Sequence, residues 1–442
     1  MSHRSRTPAL VGLLPLSAVL LSTLSACGGD AGPVSFEVSV TDSAGVQIVE
    51  YPGAAIDVEA PLALEDAPDL RIGVLDGDEA RQFSRILGAH RTTDGHIVVV
   101  DGQGPPLRRF DSEGTLLHTA GSRGEGPGEL SASRAVFPTA DGGTRIWDQR
   151  AQRIVQIDGE GRILEDMRAI TGEPGQSMHL AVPPTPIDDP PVRIVALMER
   201  TSSLPSGPES GAVVVSDAML LLRTESDPTA GAASLDTLAT FPGSEIELTV
   251  DSRGDGMVAI MMASPRFRAQ FLAASTGEAL WFSRGTRWEA SRFGPEGLEA
   301  IVRIDGEITP LGPEFRDAVL DDLLDGVTSR DAEIRIREAH QERDWPETLP
   351  PIRALFADDA GRLWLGIGDP QPSFARGMGF GPGTERFIQD WLLLANDGTE
   401  VVGRLTLPPR TRPLYADEEG VLLEARDELD VPYIEWWRFR GR

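Results

Sequence analysis

Short apolar runs alternate with Asp/Gly turns along most of the chain. The pattern is clearest over 86–121, where Asp94-Gly95 precedes the apolar stretch 96–100 and Asp111-Ser112-Glu113-Gly114 precedes 115–119, with a further strand predicted at 107–110. Such turns between short β-branched runs are typical of antiparallel hairpins. The region therefore predicts a four-stranded antiparallel meander.

The same pattern recurs five more times, with growing irregularity. Repeats of this kind predict one supersecondary unit per period, packed against its neighbours. The strands predicted for the later units are 144–147, 153–157 and 162–166 in the second; 192–198, 219–223 and 234–240 in the third; 257–261, 269–274 and 277–282 in the fourth; 362–365, 391–394 and 401–407 in the fifth; and 421–425 and 433–439 in the sixth.

The sixth unit ends before its last strand, and the N-terminal part of the chain contains a matching piece. Asp42-Ser43-Ala44-Gly45 with the strand 46–51 has the form of the turn and strand that end the first unit. We predict that residues 42–51 pair with 433–439, which would remove the exposed sheet edge. The expected fold is all-β, a six-bladed β-propeller closed by an N-terminal strand.

One stretch has helical rather than strand spacing. From about 294 to 345 the Asp/Gly turns disappear, and Phe315, Val319 and Leu323 fall on one stripe, together with Leu320 and Leu324. Ser329 is placed to cap a second helix. We predict a helical insertion between blades 4 and 5, which is either a lid over a central pocket or a packed decoration.

The N-terminal 26 residues have the order of a secretory signal. Arg4 and Arg6 precede an apolar run, and Leu24-Ser25-Ala26 leads directly to Cys27, the single cysteine of the chain. This arrangement resembles the lipobox of bacterial lipoproteins, in which the cysteine is acylated and becomes the mature N-terminus. We therefore expect a signal peptide at 1–26, a lipidated tether at 27–41 and the propeller at 42–442. The expected location is the cell envelope, facing the periplasm or at the outer membrane.

Charge and composition remove several function classes. The chain of 442 residues has 69 acidic and 41 basic residues and a formal net charge of −28, and every basic residue apart from the six histidines is arginine. A protein with this net negative charge repels phosphate backbones, so we expect no nucleic-acid partner. Without lysine, the chain cannot form a Schiff base or a P-loop.

A glycine-rich run follows the first unit, Gly121-Ser122-Arg123-Gly124-Glu125-Gly126-Pro127-Gly128-Glu129-Leu130. Because no Lys-Ser/Thr follows it and two glutamates would repel phosphate, it is interpreted as a tight loop between blades. With the Asp-x-x-Gly turns it resembles an NHL-like six-bladed β-propeller family of bacterial lipoproteins. That resemblance implies the fold and an exported, anchored location, but no established activity and no catalytic residue.

Candidate reactive residues give weak patterns. His90, His96 and His118 fall in the first unit, where His96 and His118 could approach each other, but their spacing is not that of a zinc site. Asp76-Gly77-Asp78-Glu79, and Asp251 with Asp255-Gly256, could supply oxygens to calcium, but neither has the spacing of a calcium loop, and most such acids in propellers form turns or exposed surface. Trp147, Trp364 and the pair Trp436-Trp437 are expected to pack between blades.

These observations leave two functions open. The first is a membrane-anchored binding module, held by lipid at Cys27, that presents one face to a small ligand or an envelope protein. The alternative is a metal-dependent hydrolase or lactonase of the calcium type, with its site in the central channel. We assign no catalytic residue, metal ligand or cofactor, and beyond Cys27 as the lipidation site we name no site residue.

Overall fold

The computed structural model is built almost entirely of antiparallel β-sheet. It describes residues 37–441 except 59–61, 103–105, 127, 132, 140, 149, 152, 169–178, 183–191, 200–210, 226–233, 253–257, 264–266, 269, 276–278, 295 and 369–387. Cys27 and the predicted signal peptide therefore lie outside the described residues. No helix within the described part of the chain has the length and apolar character needed to cross a membrane.

Three strands come before the repeating units, at Ser39–Ser43 (β1), Val46–Pro52 (β2) and Leu70–Ile72 (β3). The first sheet follows, with strands Ile86–Arg91 (β4), Ile97–Asp101 (β5), Leu107–Phe110 (β6) and Leu116–Ala120 (β7). A short parallel pair, Ser122–Arg123 (β8) and Glu129–Leu130 (β9), lies in the loop that leads to the second sheet.

The second sheet contains Ser133–Pro138 (β10), Thr144–Asp148 (β11), Arg153–Ile157 (β12) and Ile163–Arg168 (β13). The third contains His179–Val182 (β14), Val192–Glu199 (β15), Gly211–Glu225 (β16), Ser234–Ser252 (β17) and Val258–Ala263 (β18). The predicted strand 257–261, which we assigned to the fourth unit, therefore belongs to the third sheet, where β18 pairs with β17.

The fourth sheet contains Leu272–Ser275 (β19), Leu280–Ser283 (β20), Glu289–Gly294 (β21) and Gly297–Asp305 (β22). Two helices follow, Pro313–Leu324 (α1) and Arg330–Glu342 (α2). The fifth sheet contains Ala354–Ala357 (β23), Leu363–Ile367 (β24), Asp390–Leu394 (β25) and Val401–Thr406 (β26), and the sixth contains Thr411–Ala416 (β27), Gly420–Arg426 (β28) and Pro432–Arg438 (β29).

Alternating side chains pack neighbouring sheets against each other. In β5, Ile97 and Val99 join a core with the sixth sheet, whereas Val98 and Val100 join a core with the second sheet. Successive residues of a strand point to opposite faces, so a sheet covered on both faces has an almost continuous apolar sequence. Similar shared cores join the third sheet to the fourth, the fourth to the fifth and the fifth to the sixth. The described residues form six sheets of four or more strands, with the sixth packed on the first, as in a six-bladed β-propeller.

The prediction about the closing strand was wrong in its residues. The strand beside β29 in the sixth sheet is β3, through Ile72–Ile434 and Leu70–Trp436, rather than the stretch 42–51. Residues 46–52 instead pair in parallel with β22, and β1 folds back on them, so that the fourth sheet has six strands. Parallel pairing over this distance leaves no turn motif in the sequence, which is why the hairpin signal assigned it to the wrong sheet.

The helical insertion is confirmed as two helices but begins later than predicted. Residues 297–305 are strand β22, and its alternating residues Ala300, Val302 and Ile304 are buried, which is the period-2 pattern of a strand. Val319 of α1 is fully buried in a small core with Phe267 and Leu349. Ser329 caps α2 as predicted, since its hydroxyl accepts a hydrogen bond from the amide of Ala332.

Candidate functional site: a pocket between the sixth and first sheets

A cavity of about 460 Å³ lies where the sixth sheet meets the first. We call it the junction pocket. Its walls come from the segment that joins β3 to β4, from β6 and from the turn between β28 and β29. The lining residues are Val74, Leu75, Glu79, Gln82, Phe83, Ser84, Arg108, Asp430, Val431 and Pro432. The volume is within the range of small-molecule sites.

Arg108 is the central polar group of the pocket. Only 4% of its side chain is exposed, yet it lines the cavity. Its Nη1 donates to the carbonyl of Gln82 at 2.7 Å, and the guanidinium carbon lies 5.3 Å from the centre of the Phe83 ring. Burial lowers the pKa of Arg108, an effect that Asp101 partly opposes. Arginine nevertheless stays protonated in proteins, so a positive charge is held at this position.

The charge of Arg108 is only partly compensated. Its nearest carboxylate is that of Asp101, with Oδ2 at 3.7 Å from Nη1. Those carboxylate oxygens also accept hydrogen bonds from the amides of Ser84 and Arg85 at 3.1 Å each. Within the part of the chain that the structure describes, the buried Nε of Arg108 has no hydrogen-bond partner. Buried polar groups are ordinarily paired, so an unpartnered donor here needs an explanation.

The local role of Arg108 is repeated in the next blade. Arg153 of β12 donates from Nη2 to the carbonyls of Gly126 and Glu129, at 2.7 and 2.6 Å, as Arg108 donates to Gln82. The paired carboxylate is also repeated, because Asp148 accepts from the amide of Ser131 at 2.7 Å as Asp101 accepts from Ser84. Each Asp/Arg pair thus fastens the loop that enters its own sheet. Of these two arginines, only Arg108 also lines the junction pocket.

The junction pocket is lined by apolar and polar residues in equal number. Leu75 of its wall is 62% exposed. Glu79 is exposed, whereas Val431 and Pro432 are buried. Asp430 adopts a left-handed backbone conformation, with φ 62°, and its carboxylate is held by Arg410 at 3.3 Å and Arg426 at 2.9 Å.

The predicted histidine cluster is only partly assembled. His90 is buried, shares a 2.9 Å hydrogen bond with the hydroxyl of Thr144, and burial lowers its pKa to about 4. His96 and His118 both lie beside Arg109: Arg109 donates from Nε to Nδ1 of His96 at 3.2 Å, and it pairs with His118 across β6 and β7. The pKa of His118 is lowered by burial and by Arg109. These contacts favour a structural role, since the Nδ1 of His96 accepts a hydrogen bond from Arg109.

The predicted calcium ligands form turns where the structure describes them. Asp76 accepts a hydrogen bond from the amide of Gly77 and Asp78 from that of Ala80. Among the described residues no group of three or more histidine, cysteine or acidic side chains could hold a metal ion. Asp255 and Gly256, and the side chain of Asp251, lie outside the described residues.

Two structural interpretations of the sequence are confirmed. The glycine-rich run lies between the first and second sheets, with positive φ at Gly121, Gly124 and Gly128, and Glu129 accepts a hydrogen bond from the amide of Gly126. The tryptophans pack between sheets, with Trp436 in the core shared by the sixth and first sheets and Trp437 against that shared by the fifth and sixth.

The role of Arg108 and Asp101 in the pocket was missed from the sequence. A signal was present, because both Asp101 and Asp148 end the second strand of a unit and an arginine stands in the next strand of each. Aligning the first two units matches Asp101 with Asp148, but it places Val155 rather than Arg153 at the position of Arg108, so the alignment alone would not have shown the pair. It would not have shown the cavity, which depends on the segment 74–84.

Neither the comparison with protein families nor that with curated proteins gives a match. Among solved structures, a Bacteroides fragilis protein named as exported has 8% identity and a TM-score of 0.42, covering 89% of this chain and all of its own. A Bacteroides vulgatus protein of the DUF4221 family has 10% identity and a TM-score of 0.44, covering 86% and 98%. A Xanthomonas campestris gluconolactonase has 11% identity and a TM-score of 0.38, again covering 86% and 98%. At this level of similarity the fold assignment rests on the sheets themselves.

Proposed function

We propose that this protein is an exported β-propeller, anchored in the cell envelope by lipid on Cys27, that binds a small ligand in the junction pocket. The observation that carries the proposal is the arrangement around Arg108: a buried cation with an unpartnered donor, at a cavity whose walls combine apolar and polar residues. Apolar surface together with a few polar groups that fix orientation is typical of ligand sites.

The carboxylates of the pocket favour binding over metal-dependent hydrolysis. The two carboxylates that line the pocket are those of Glu79 and Asp430, and Asp430 is paired with two arginines. Asp101, beside Arg108, accepts hydrogen bonds from the loop 84–85. A calcium ion needs several oxygen ligands at once, and of these three carboxylates Asp101 and Asp430 are engaged with donors of the protein. We therefore keep the binding module as the proposed function and place no hydrolytic step in this pocket.

The ring that supports the pocket is part of the proposal. We propose that β3 closes the propeller by completing the sixth sheet next to the first, where Ile72 joins the core shared by the two sheets. The segment 74–84 follows directly and forms one wall. Closure and the pocket would then depend on the same stretch of chain.

A neutral apolar dye tests whether the pocket binds a ligand. N-phenylnaphthylamine carries no charge and fluoresces when it leaves water, so its binding reports the apolar walls alone. We expect saturable binding to the folded chain, and loss of at least 10-fold in affinity in Val74→Trp, which fills the half-buried wall position. Leu117→Trp, at another surface leucine that is 47% exposed, is the matched control and should bind like the parent. Equal binding by the parent and Val74→Trp would contradict the proposal.

A further inference from the structure

The junction pocket contains a positive charge whose compensation by the protein is incomplete. Arg108 is almost fully buried, its closest carboxylate oxygen is 3.7 Å away, and that carboxylate also holds the amides of Ser84 and Arg85. Taking a charge out of water is costly unless it is paired and hydrogen-bonded. The site would therefore gain stability from an acceptor that carries a negative charge of its own.

The amount of charge that fits the pocket is small. Glu79 lies exposed at the cavity, and the net charge of the whole chain is −28. A dianion such as a phosphate monoester would meet one guanidinium and at least one repelling carboxylate. A monoanion matches the single positive charge of Arg108, and a carboxylate is the planar acceptor that guanidinium binds best.

Half of the lining favours an apolar part in the ligand. Val74, Phe83, Val431 and Pro432 line the cavity together with Leu75, which is 62% exposed. Covering Leu75 would be favourable, at roughly 25 cal/mol per Å² of apolar surface removed from water. A hydrated sugar acid or a free inorganic anion would leave these walls without a partner.

On these grounds we propose that the junction pocket binds a small monocarboxylate with an apolar body, such as a short- or medium-chain acid, with the carboxylate at Arg108 and the apolar body against Leu75 and the other apolar lining residues. This inference rests on the proposed function, since it names the ligand class of the same pocket. It assigns Arg108 a binding role in addition to fastening the loop through Gln82.

Competition with matched eight-carbon compounds tests the ligand class. Octanoate and octanol have the same apolar chain and differ in the charged end group, so each is titrated against bound N-phenylnaphthylamine at neutral pH. We expect octanoate to displace the dye at a concentration at least 10-fold below that of octanol, which corresponds to about 1.4 kcal/mol. Equal potency of the two compounds would overturn the inference, while dye binding that is sensitive to Val74→Trp would leave the proposed function standing.

Two arginine variants separate binding from loop fastening. Arg108→Gln should abolish the preference for octanoate, and Arg153→Gln, which removes the equivalent loop contacts in the next blade, should keep it. A preference that survives Arg108→Gln would overturn the role of Arg108.

If Arg108→Gln does not fold, two variants of the exposed Leu75 test the same point. Leu75→Glu should weaken octanoate binding several-fold relative to Leu75→Gln, because only the first adds a negative charge. Equal octanoate binding by those two variants would count against the proposal.

Discussion

At the scale of single residues, buried carboxylates and arginines fix the loops that lead into the sheets. Asp101 and Asp148 occupy equivalent places, and each holds the amide of a serine that precedes the first strand of its own sheet. The sequence correctly predicted that most acidic residues are turn formers, as Asp76 and Asp111 show. It could not separate these from the two buried aspartates, because burial depends on the loop that crosses over them.

Replacement of Asp148 should reveal the strength of this loop contact. Asp148 is fully buried and accepts hydrogen bonds from both the amide and the hydroxyl of Ser131, at 2.7 and 2.8 Å. Asp148→Ala leaves those donors buried without an acceptor, so we expect the free energy of unfolding to fall by about 2–3 kcal/mol. Asp76→Ala, in an exposed turn, should change it by less than about 0.5 kcal/mol. Urea denaturation measures the free energy of unfolding of both variants. Equal losses in the two variants would show that the Asp148 contact adds nothing to stability.

The pKa of His90 predicts a pH dependence of stability. Burial lowers this pKa to about 4, below the value of 6.5 for an exposed histidine. Between these pH values the unfolded chain binds a proton at His90 that the folded chain does not. The contribution of His90 to the free energy of unfolding is therefore complete above pH 6.5 and is lost as the pH falls toward 4. The slope from one proton is at most about 1.4 kcal/mol per pH unit.

His90→Gln isolates this effect. A glutamine amide does not titrate and can still reach the hydroxyl of Thr144, so the variant should lose part of the slope between pH 6.5 and 4 that the parent shows. Unfolding in urea at a series of pH values measures the slope, with the parent chain as the reference. An unchanged slope in His90→Gln would contradict the assignment.

At the scale of elements, the sequence predicted hairpins well and longer-range pairing poorly. Asp/Gly turns located most strands of the first, second and fifth sheets and two of the sixth, because an antiparallel hairpin is encoded by local residues. The strands that begin these sheets, β4, β10, β23 and β27, were not among the predicted ranges. The parallel pairing of β2 with β22 and the antiparallel pairing of β3 with β29 join residues far apart in sequence. With only three residues and no turn, β3 gives no periodic signal at all.

The contribution of β3 can be measured through its buried residue. Ile72 is fully buried in the core that the sixth and first sheets share, whereas Leu75, three residues later, is 62% exposed. Ile72→Ala should lower the free energy of unfolding by about 2–5 kcal/mol, the usual cost of such a truncation in a core. Leu75→Ala should cost less than about 0.5 kcal/mol. If thermal and urea denaturation showed a similar small loss for both variants, β3 would contribute little to the joining of these sheets.

At the scale of the whole molecule, the attachment point of the N-terminal segment decides how the propeller would face a membrane. The first described strand, β1, lies at the outer edge of the fourth sheet, beyond β2 and β22. The junction pocket lies between the sixth and first sheets, two and three positions further along the order of sheets. Eleven residues, 28–38, stand between Cys27 and β1, which limits their extended reach to about 40 Å. We therefore expect an anchor on Cys27 to leave the pocket accessible.

Cys27→Ser tests the anchor and its separation from the binding site in one experiment. If Cys27 carries lipid, cells that make the full chain should incorporate labelled palmitate into it and retain it in the membrane fraction, and Cys27→Ser should abolish the label. Because a single acyl chain binds a bilayer only marginally, retention should require the multiply acylated form. Ser25→Ala, which keeps a small residue before the cysteine, is the control and should remain labelled.

N-phenylnaphthylamine should bind the detergent-extracted parent and a chain purified without residues 1–27 with the same affinity. Palmitate label in Cys27→Ser would remove the anchor from the proposal, and weaker dye binding by the lipidated form would place the pocket against the membrane.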